Sequence, residues 1–388
     1  MLHTSTIEIS RSALQRNLRF LRNRLGRGTR FCSVVKANAY GHGIEVFVPL
    51  AEECGIDRFA VFSAAEAERV AASCTRPSEL MIMGAITDDE LEWAVTRDIS
   101  FFVFDPARLD AAIAAARRTR KPARIHLELE TGMNRTGLEP QELEPLAERI
   151  RAHPGEIVVE GVCTHFAGAE SIANRMRVLS QFERFQTGLD QLRQAGISPG
   201  LRHTACSAAT LTFPESVLDM ARIGIAQYGF WPSPETRIQY ALQRDPEMQH
   251  RFIDPLSQVL TWRSRVMSLK RLRPGSFVGY GVTRLVTREH RAAVVPVGYA
   301  HGFPRSLSNL GYVLIGGRRA PVMGLVNMTM IIVDVTDCHD VRRGDEVVLI
   351  GKQNRHTITV QSFSELTRNV NYEVLARLPA DIPRQVVP

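Results

Sequence analysis

Hydrophobic positions fall into two regimes along the chain. From residue 31 to 225, short apolar runs alternate with stretches of helical spacing. The runs occupy residues 31–35, 59–62, 80–83, 101–104, 125–129, 157–164, 201–205 and 220–225. Each is short enough for a buried strand. Between most of them lie segments with apolar residues at i, i+3 and i+4, at 65–72, 88–95, 107–117, 141–151 and about 174–194. The last carries Leu179, Phe182, Phe185, Leu189 and Leu192 on one stripe before Gly196 stops it. Eight strand-then-helix units predict a closed parallel (β/α)8 barrel, with a doubly wound open sheet as the alternative. No Gly-x-Gly-x-x-Gly follows the first strand, which lowers that alternative.

The pattern changes on both sides. Ile7 and Ile9 alternate with polar residues, as in a half-exposed strand, and residues 12–25 place Leu14, Leu18, Leu21 and Leu25 at helical spacing. Residues 231–255 lose periodicity, and the prolines around Trp231 predict a linker. Beyond it, short strands at 259–267, 292–297, 312–315, 321–326, 331–335 and 346–350 are separated by turn signals such as Gly316-Gly317. This predicts a barrel over 11–232 and a mostly-β C-terminal domain over 240–388, joined by the N-terminal strand 1–10.

Composition adds little but excludes much. The 388 residues suffice for two domains, and 44% hydrophobic with 23% charged is ordinary for a globular protein. The net charge of +7 is scattered, so nucleic acid is not expected as a partner. The six cysteines form no Cys-x-x-Cys pair, which argues against a metal or redox motif and fits reduced thiols in a cytoplasm. Neither a signal peptide nor a membrane-spanning run is expected.

The chemistry gathers at strand ends, where barrels carry it. The first barrel strand ends on Lys36, followed by small residues and two glycines. A desolvated lysine loses its proton more readily and becomes a nucleophile or base. For an arbitrary Val-Val-Lys, a lysine snorkelling at a strand end is the commoner outcome. His165, Ser207 and Arg222 also lie at or just past strand ends.

The stretch Val34-Val35-Lys36-Ala37-Asn38-Ala39-Tyr40-Gly41-His42-Gly43 resembles the cofactor-lysine signature of the alanine racemases, and further motifs follow in family order as far as Tyr372. The resemblance implies pyridoxal 5'-phosphate (PLP) as cofactor, a small amino acid as substrate, and a homodimer with shared sites. It assigns Lys36 and Tyr280 as the two catalytic bases, the latter in Val278-Gly279-Tyr280-Gly281. Thr131-Gly132-Met133-Asn134-Arg135 resembles the loop whose arginine steers the substrate carboxylate. His165 would help hold the tyrosine. Ser207, in His203-Thr204-Ala205-Cys206-Ser207, would bind the cofactor phosphate, with His203 supporting Arg222. Met220-Ala221-Arg222-Ile223-Gly224-Ile225-Ala226-Gln227-Tyr228-Gly229 would set Arg222 against the pyridine nitrogen and offer the Gly224 and Ile225 N–H groups to phosphate. Tyr40 and Tyr372 complete the phosphate contacts. Met328 and Tyr299 match substrate-side segments.

Four positions depart from the family pattern: Glu128 where several members have a carbamylated lysine, Cys206 for Asn, His301 for Asp, and Thr329 for Asp. Glu128 or Glu130 is expected to orient Arg135 by a charge-assisted hydrogen bond. Alanine is the expected substrate, since Tyr299 and Tyr372 are kept. A serine or broad-specificity racemase is the alternative. A basic-amino-acid decarboxylase of the same plan is disfavoured because no Gly-Gly-Gly loop or Cys-Asp motif occurs. A non-catalytic PLP carrier is disfavoured by the second domain.

Overall fold

The computed structural model describes residues 3–243, 252–367 and 370–388. The chain forms two compact units. One comprises Leu14–Ala37 and Val48–Ser257; the other comprises Met1–Ala13, Asn38–Phe47 and Gln258–Pro388.

The strand β1 (Ser5–Ser10) belongs to the second unit, and the helix Arg11–Leu25 follows it. The first unit is built on eight parallel strands: β2 (Arg30–Val34), β3 (Arg58–Ser63), β4 (Glu79–Ala85), β5 (Ser100–Val103), β6 (Ala123–Glu128), β7 (Ile157–Cys163), β8 (Leu201–His203) and β9 (Met220–Ile223). The order β8-β7-β6-β5-β4-β3-β2-β9 is that of a (β/α)8 barrel. Just beyond β8 the ring closes by a parallel bridge between Cys206 and Arg222, with Arg222 N–H donating to Ala205 O at 2.9 Å. Sequence-local caps start the surrounding helices. Ser63 caps Ala64–Ser73, Thr87 and Glu90 form a reciprocal box at Asp88–Thr96, and Asp105 caps Pro106–Thr119 with proline at its first position.

The expected linker at 231–255 is corrected in part. A helix, Pro234–Leu242, occupies its first half. Ser233 accepts the Thr236 N–H at 3.0 Å, and Pro234 sits where a helix tolerates it. The Ser-Pro pair that signals a turn is here a helix start. Residues 244–251 lie outside the described residues.

The second unit contains β10 (Leu260–Arg265), β11 (Ser268–Leu272), β12 (His290–Val295), β13 (Tyr312–Ile315), β14 (Arg318–Pro321), β15 (Ile331–Asp334), β16 (Glu346–Gln353), β17 (His356–Ile358) and β18 (Arg384–Val387). One sheet runs β14-β13-β16-β10-β1-β18, with β17 on β16; a second runs β11-β12-β15. β1 lies antiparallel to β10 and parallel to β18. Trp262, Phe303 and Phe363 form an aromatic core. The strand expected at 321–326 is corrected: β14 covers Arg318–Pro321, Val322 adds a single antiparallel bridge to Val333, and the left-handed Gly324 (φ +75°) follows. Two short helices, Val360–Thr367 and Asn371–Ala376, stand where no helix was expected. Among the described residues no helix is long and apolar enough to cross a membrane.

Candidate active site

In the barrel unit, the expected residues converge on the C-terminal ends of the strands. β2 delivers Lys36 through a tightly braced end. Ser33 donates to Gln227 Oε1 at 2.7 Å, and the Val34 carbonyl accepts from Gln227 Nε2 and the Tyr228 hydroxyl, each at 3.0 Å. Glu66 holds the next peptide, accepting the Ala37 N–H at 2.6 Å and the Phe62 N–H at 2.9 Å. Burial and the Arg135 cation push the Lys36 amine below the ordinary lysine pKa. Glu66 pulls it up, and Arg222 pushes it down again.

Arg222 is 5% exposed on β9. Its Nη1 donates to the His203 carbonyl at 2.7 Å and lies 2.5 Å from His203 Nδ1, and its Nη2 donates to Thr164 O at 2.7 Å. Its Nε–H has no acceptor among the described residues. A guanidinium held this way can only donate. His165 follows β7, and burial beside Arg222, Arg135 and Lys36 presses its pKa down to about 3, so the imidazole is neutral.

Ser207 opens the helix Ser207–Thr212. Its hydroxyl accepts from Gly224 N–H at 2.9 Å and Ala226 N–H at 3.4 Å, bringing Ser207, Gly224 and Ile225 together. A hydroxyl beside backbone N–H groups at helical starts suits oxyanions. Cys206 stands at the N-cap, where burial raises its thiol pKa against the nearby Ala209 and Ala208 backbone.

Arg135 is exposed on the loop after β6. The expected pairing with Glu128 or Glu130 is corrected here. Glu130 accepts the backbone N–H groups of Gly132, Met133 (2.8 Å) and Asn134 (2.8 Å), and Glu128 accepts from Thr136 Oγ1 at 2.9 Å. Donors of the same tight loop reach these carboxylates, peptide N–H groups for Glu130 and the Thr136 hydroxyl for Glu128, so the glutamates shape the loop instead of gripping the guanidinium. Burial raises the Glu128 pKa.

The remaining residues lie in the second unit, whose segment here starts at Asn38, directly after Ala37. Ala37, Asn38, Ala39 and Tyr40 have φ of 52°, 55°, 54° and 51°, a left-handed turn of four non-glycine residues. His42 closes it, its Nδ1 lying 3.0 Å from Ala39 O and 2.9 Å from Tyr40 O. Arg384 donates to Gly41 O at 2.9 Å, and the Tyr40 ring lies 6.0 Å from that of Tyr372. Tyr280 is 73% exposed between Gly279 and Gly281, both at φ +68°, on a loop anchored by buried Val278. Tyr299 N–H donates to Asn327 O at 3.0 Å and Ala300 N–H to Met328 O at 2.9 Å, so the Tyr299 and Met328 segments are laced together. His301 Nδ1 accepts the Gly298 N–H at 3.2 Å, a cap that an aspartate would also supply.

Glu66, Gln227 and Tyr228 act on the site without having been expected to. Gln227 and Tyr228 lie inside the Arg222 motif, which was the available signal. Glu66 had only its place three residues after Ser63.

Two family models match, the alanine racemase N-terminal domain at residues 9–232 and the alanine racemase C-terminal domain at 259–386. Relatives include the alanine racemases of Symbiobacterium thermophilum, 36% identical over 97% of this chain and 95% of that protein, and Leptospira interrogans, 33% identical over 99% and 96%. Among solved structures, alanine racemase from Clostridium difficile superposes with a TM-score of 0.89 at 28% identity, covering 99% of this chain and 95% of that one. That of Streptomyces coelicolor superposes with a TM-score of 0.89 at 30% identity, covering 99% and 98%. With both models in register and relatives matched along nearly their whole length, the chain belongs to the alanine racemase family.

Proposed function

We propose that this protein is a PLP-dependent alanine racemase, interconverting L- and D-alanine. The observation that carries the reading is the grouping of a depressed-pKa lysine, a donor-only arginine and a serine–N–H cluster at the barrel strand ends. That donor set fits the cofactor. Ser207 with the Gly224 and Ile225 N–H groups suits its phosphate, the Arg222 Nε–H suits a ring nitrogen that accepts, and Lys36 is the amine for its aldehyde. Tyr40 and Tyr372 would add hydroxyls to the phosphate. When bound, PLP supplies an electron sink that acidifies the substrate Cα–H.

The side chains do the rest. Lys36 moves a proton at one face of Cα and Tyr280 at the other. Tyr280 would act as that base with the neutral His165 imidazole and the Arg222 cation as its partners. Arg222, a donor-only guanidinium, would leave a ring nitrogen that faces it as the acceptor, and so would restrain side reactions. Arg135 and the Met328 segment bind the carboxylate, and Tyr299 and Tyr372 leave room for a methyl group. Tyr280's exposure supports a homodimer in which a second copy supplies that base.

Full-length protein reconstituted with PLP should convert L-alanine to a near-equal mixture of enantiomers by chiral chromatography, and serine far more slowly. K36A and Y280A should each lose at least ~10³-fold in kcat and recover part of it when mixed. Racemisation of serine but not alanine would replace the substrate. No recovery on verified subunit exchange would remove the shared site.

A further inference from the structure

The barrel interior holds a line of polar side chains beyond those assigned above. Arg222 Nη1 lies 2.5 Å from His203 Nδ1, and His203 Nε2 lies 2.9 Å from His126 Nδ1. His126 Nε2 faces Glu160 Oε2 at 3.7 Å, and Glu160 Oε1 accepts from Arg124 Nη2 at 2.8 Å. Both imidazoles are buried, 1% and 0% exposed. Strand register creates the line: His126 on β6 is opposite Gly161 on β7, and Cys163 on β7 is opposite His203 on β8. Gly161 leaves the necessary space, since a Cβ there would strike His126 Nδ1. The Phe102 ring flanks both imidazoles at 6.1 Å.

The two ends fix the direction of every bond between them. A guanidinium only donates, so His203 Nδ1 accepts and its proton sits on Nε2. That proton points at His126 Nδ1, which accepts in turn, leaving the His126 proton on Nε2. Nε2–H then faces a carboxylate, which only accepts when ionised. A single arrangement satisfies the whole line.

We propose that His126 and Glu160 are positioning residues for Arg222, locking both imidazole tautomers so that His203 presents a lone pair to the guanidinium. The proposal rests on the role given to Arg222 above. Burial lowers the pKa of both histidines, which keeps them neutral. Burial alone would raise Glu160, but the His126 imidazole facing it and the bonded Arg124 guanidinium outweigh this and bring it down to about 2.

The test needs no cofactor for its first readout. In full-length protein labelled with ¹⁵N-histidine, His126 and His203 should both show the neutral Nε2–H tautomer at pH 7.5. In E160Q a single amide oxygen is left to face three donors, the Arg124 Nε–H and Nη2–H and the His126 Nε2–H, which the two carboxylate oxygens share in the wild type. His126 should then gain Nδ1–H character, and kcat for alanine should fall about tenfold with KM changing far less. An Nδ1–H tautomer or an imidazolium at either residue in the wild type would overturn the proposal. So would E160Q with wild-type tautomers, or with altered tautomers and wild-type kcat. If E160Q does not fold, E160D is read by the same criteria. Wild-type turnover of alanine tests the functional reading separately, so failure of one is told from failure of the other.

Discussion

Glu66 supplies the negative charge that Lys36 feels most strongly, and it does so with both oxygens fixed on backbone N–H groups. An anion favours the ammonium form, so this contact works against burial and the Arg135 and Arg222 cations. Removing the charge while keeping the shape should push the Lys36 pKa further down. The base form is the one that removes a proton, so the acid limb of kcat/KM should move to lower pH in E66Q. Reductive methylation of Lys36, followed against pH in protein without added PLP, should shift the same way. An acid limb that moves up, or does not move, would mean that Glu66 acts only on the backbone. The pair of glutamates near Arg135 teaches the complementary lesson. Sequence places Glu128 and Glu130 within a few residues of the arginine, but hydrogen-bond geometry decides which donor each carboxylate takes: the loop's own peptides for Glu130 and the Thr136 hydroxyl for Glu128.

At the scale of elements, the turn after Lys36 is the longest run of left-handed non-glycine residues among the described residues. Each L-residue there costs about 1–2 kcal/mol relative to the right-handed form. Ala37 is exposed, so Ala37→Gly loses little packing and relieves one such residue. A37G should stabilise the protein by about 1 kcal/mol in urea denaturation while lowering kcat, because the peptide beside Lys36 becomes softer. Unchanged stability would mean that the turn carries no such strain. Of Ala-Asn-Ala-Tyr only Asn38 leans to this conformation by propensity, and one such residue does not announce a run of four; the resemblance to the family marks the stretch as special. The barrel strands, by contrast, were legible because each is an apolar run bounded by a helical period. The helix at Pro234–Leu242 was not, since Ser-Pro signals both a turn and a helix start. The line from Arg222 to Glu160 was invisible because its members lie on different strands. On β6, Arg124, His126 and Glu128 merely alternate, and strand register brings His126 to His203.

For the whole molecule, buried neutral imidazoles make stability depend on pH in a definite direction. His42 in the second unit has its pKa brought down to about 4, by burial against the hydrogen bonds to Tyr40 and Ala39. His165 in the barrel unit falls to about 3, by burial and then by the Arg222, Arg135 and Lys36 cations. In the unfolded chain both take up a proton below about 6.5. Between there and their folded values the unfolded state binds more protons, so stability falls as pH falls. The contribution is complete above 6.5; at pH 5 about 2 kcal/mol is lost per histidine. Glu160 adds nothing in this window, because its own loss begins only as pH falls below the ordinary carboxylate range toward about 2. Urea denaturation at pH 7.5 and 5.0 should therefore show both units weakening. Trp262 reports on the second unit in a W93F/W231F background. In H165N the loss for the barrel unit should shrink by about 2 kcal/mol while that for the second unit stays. An equal loss with and without His165 would assign the acid sensitivity of the barrel to other groups.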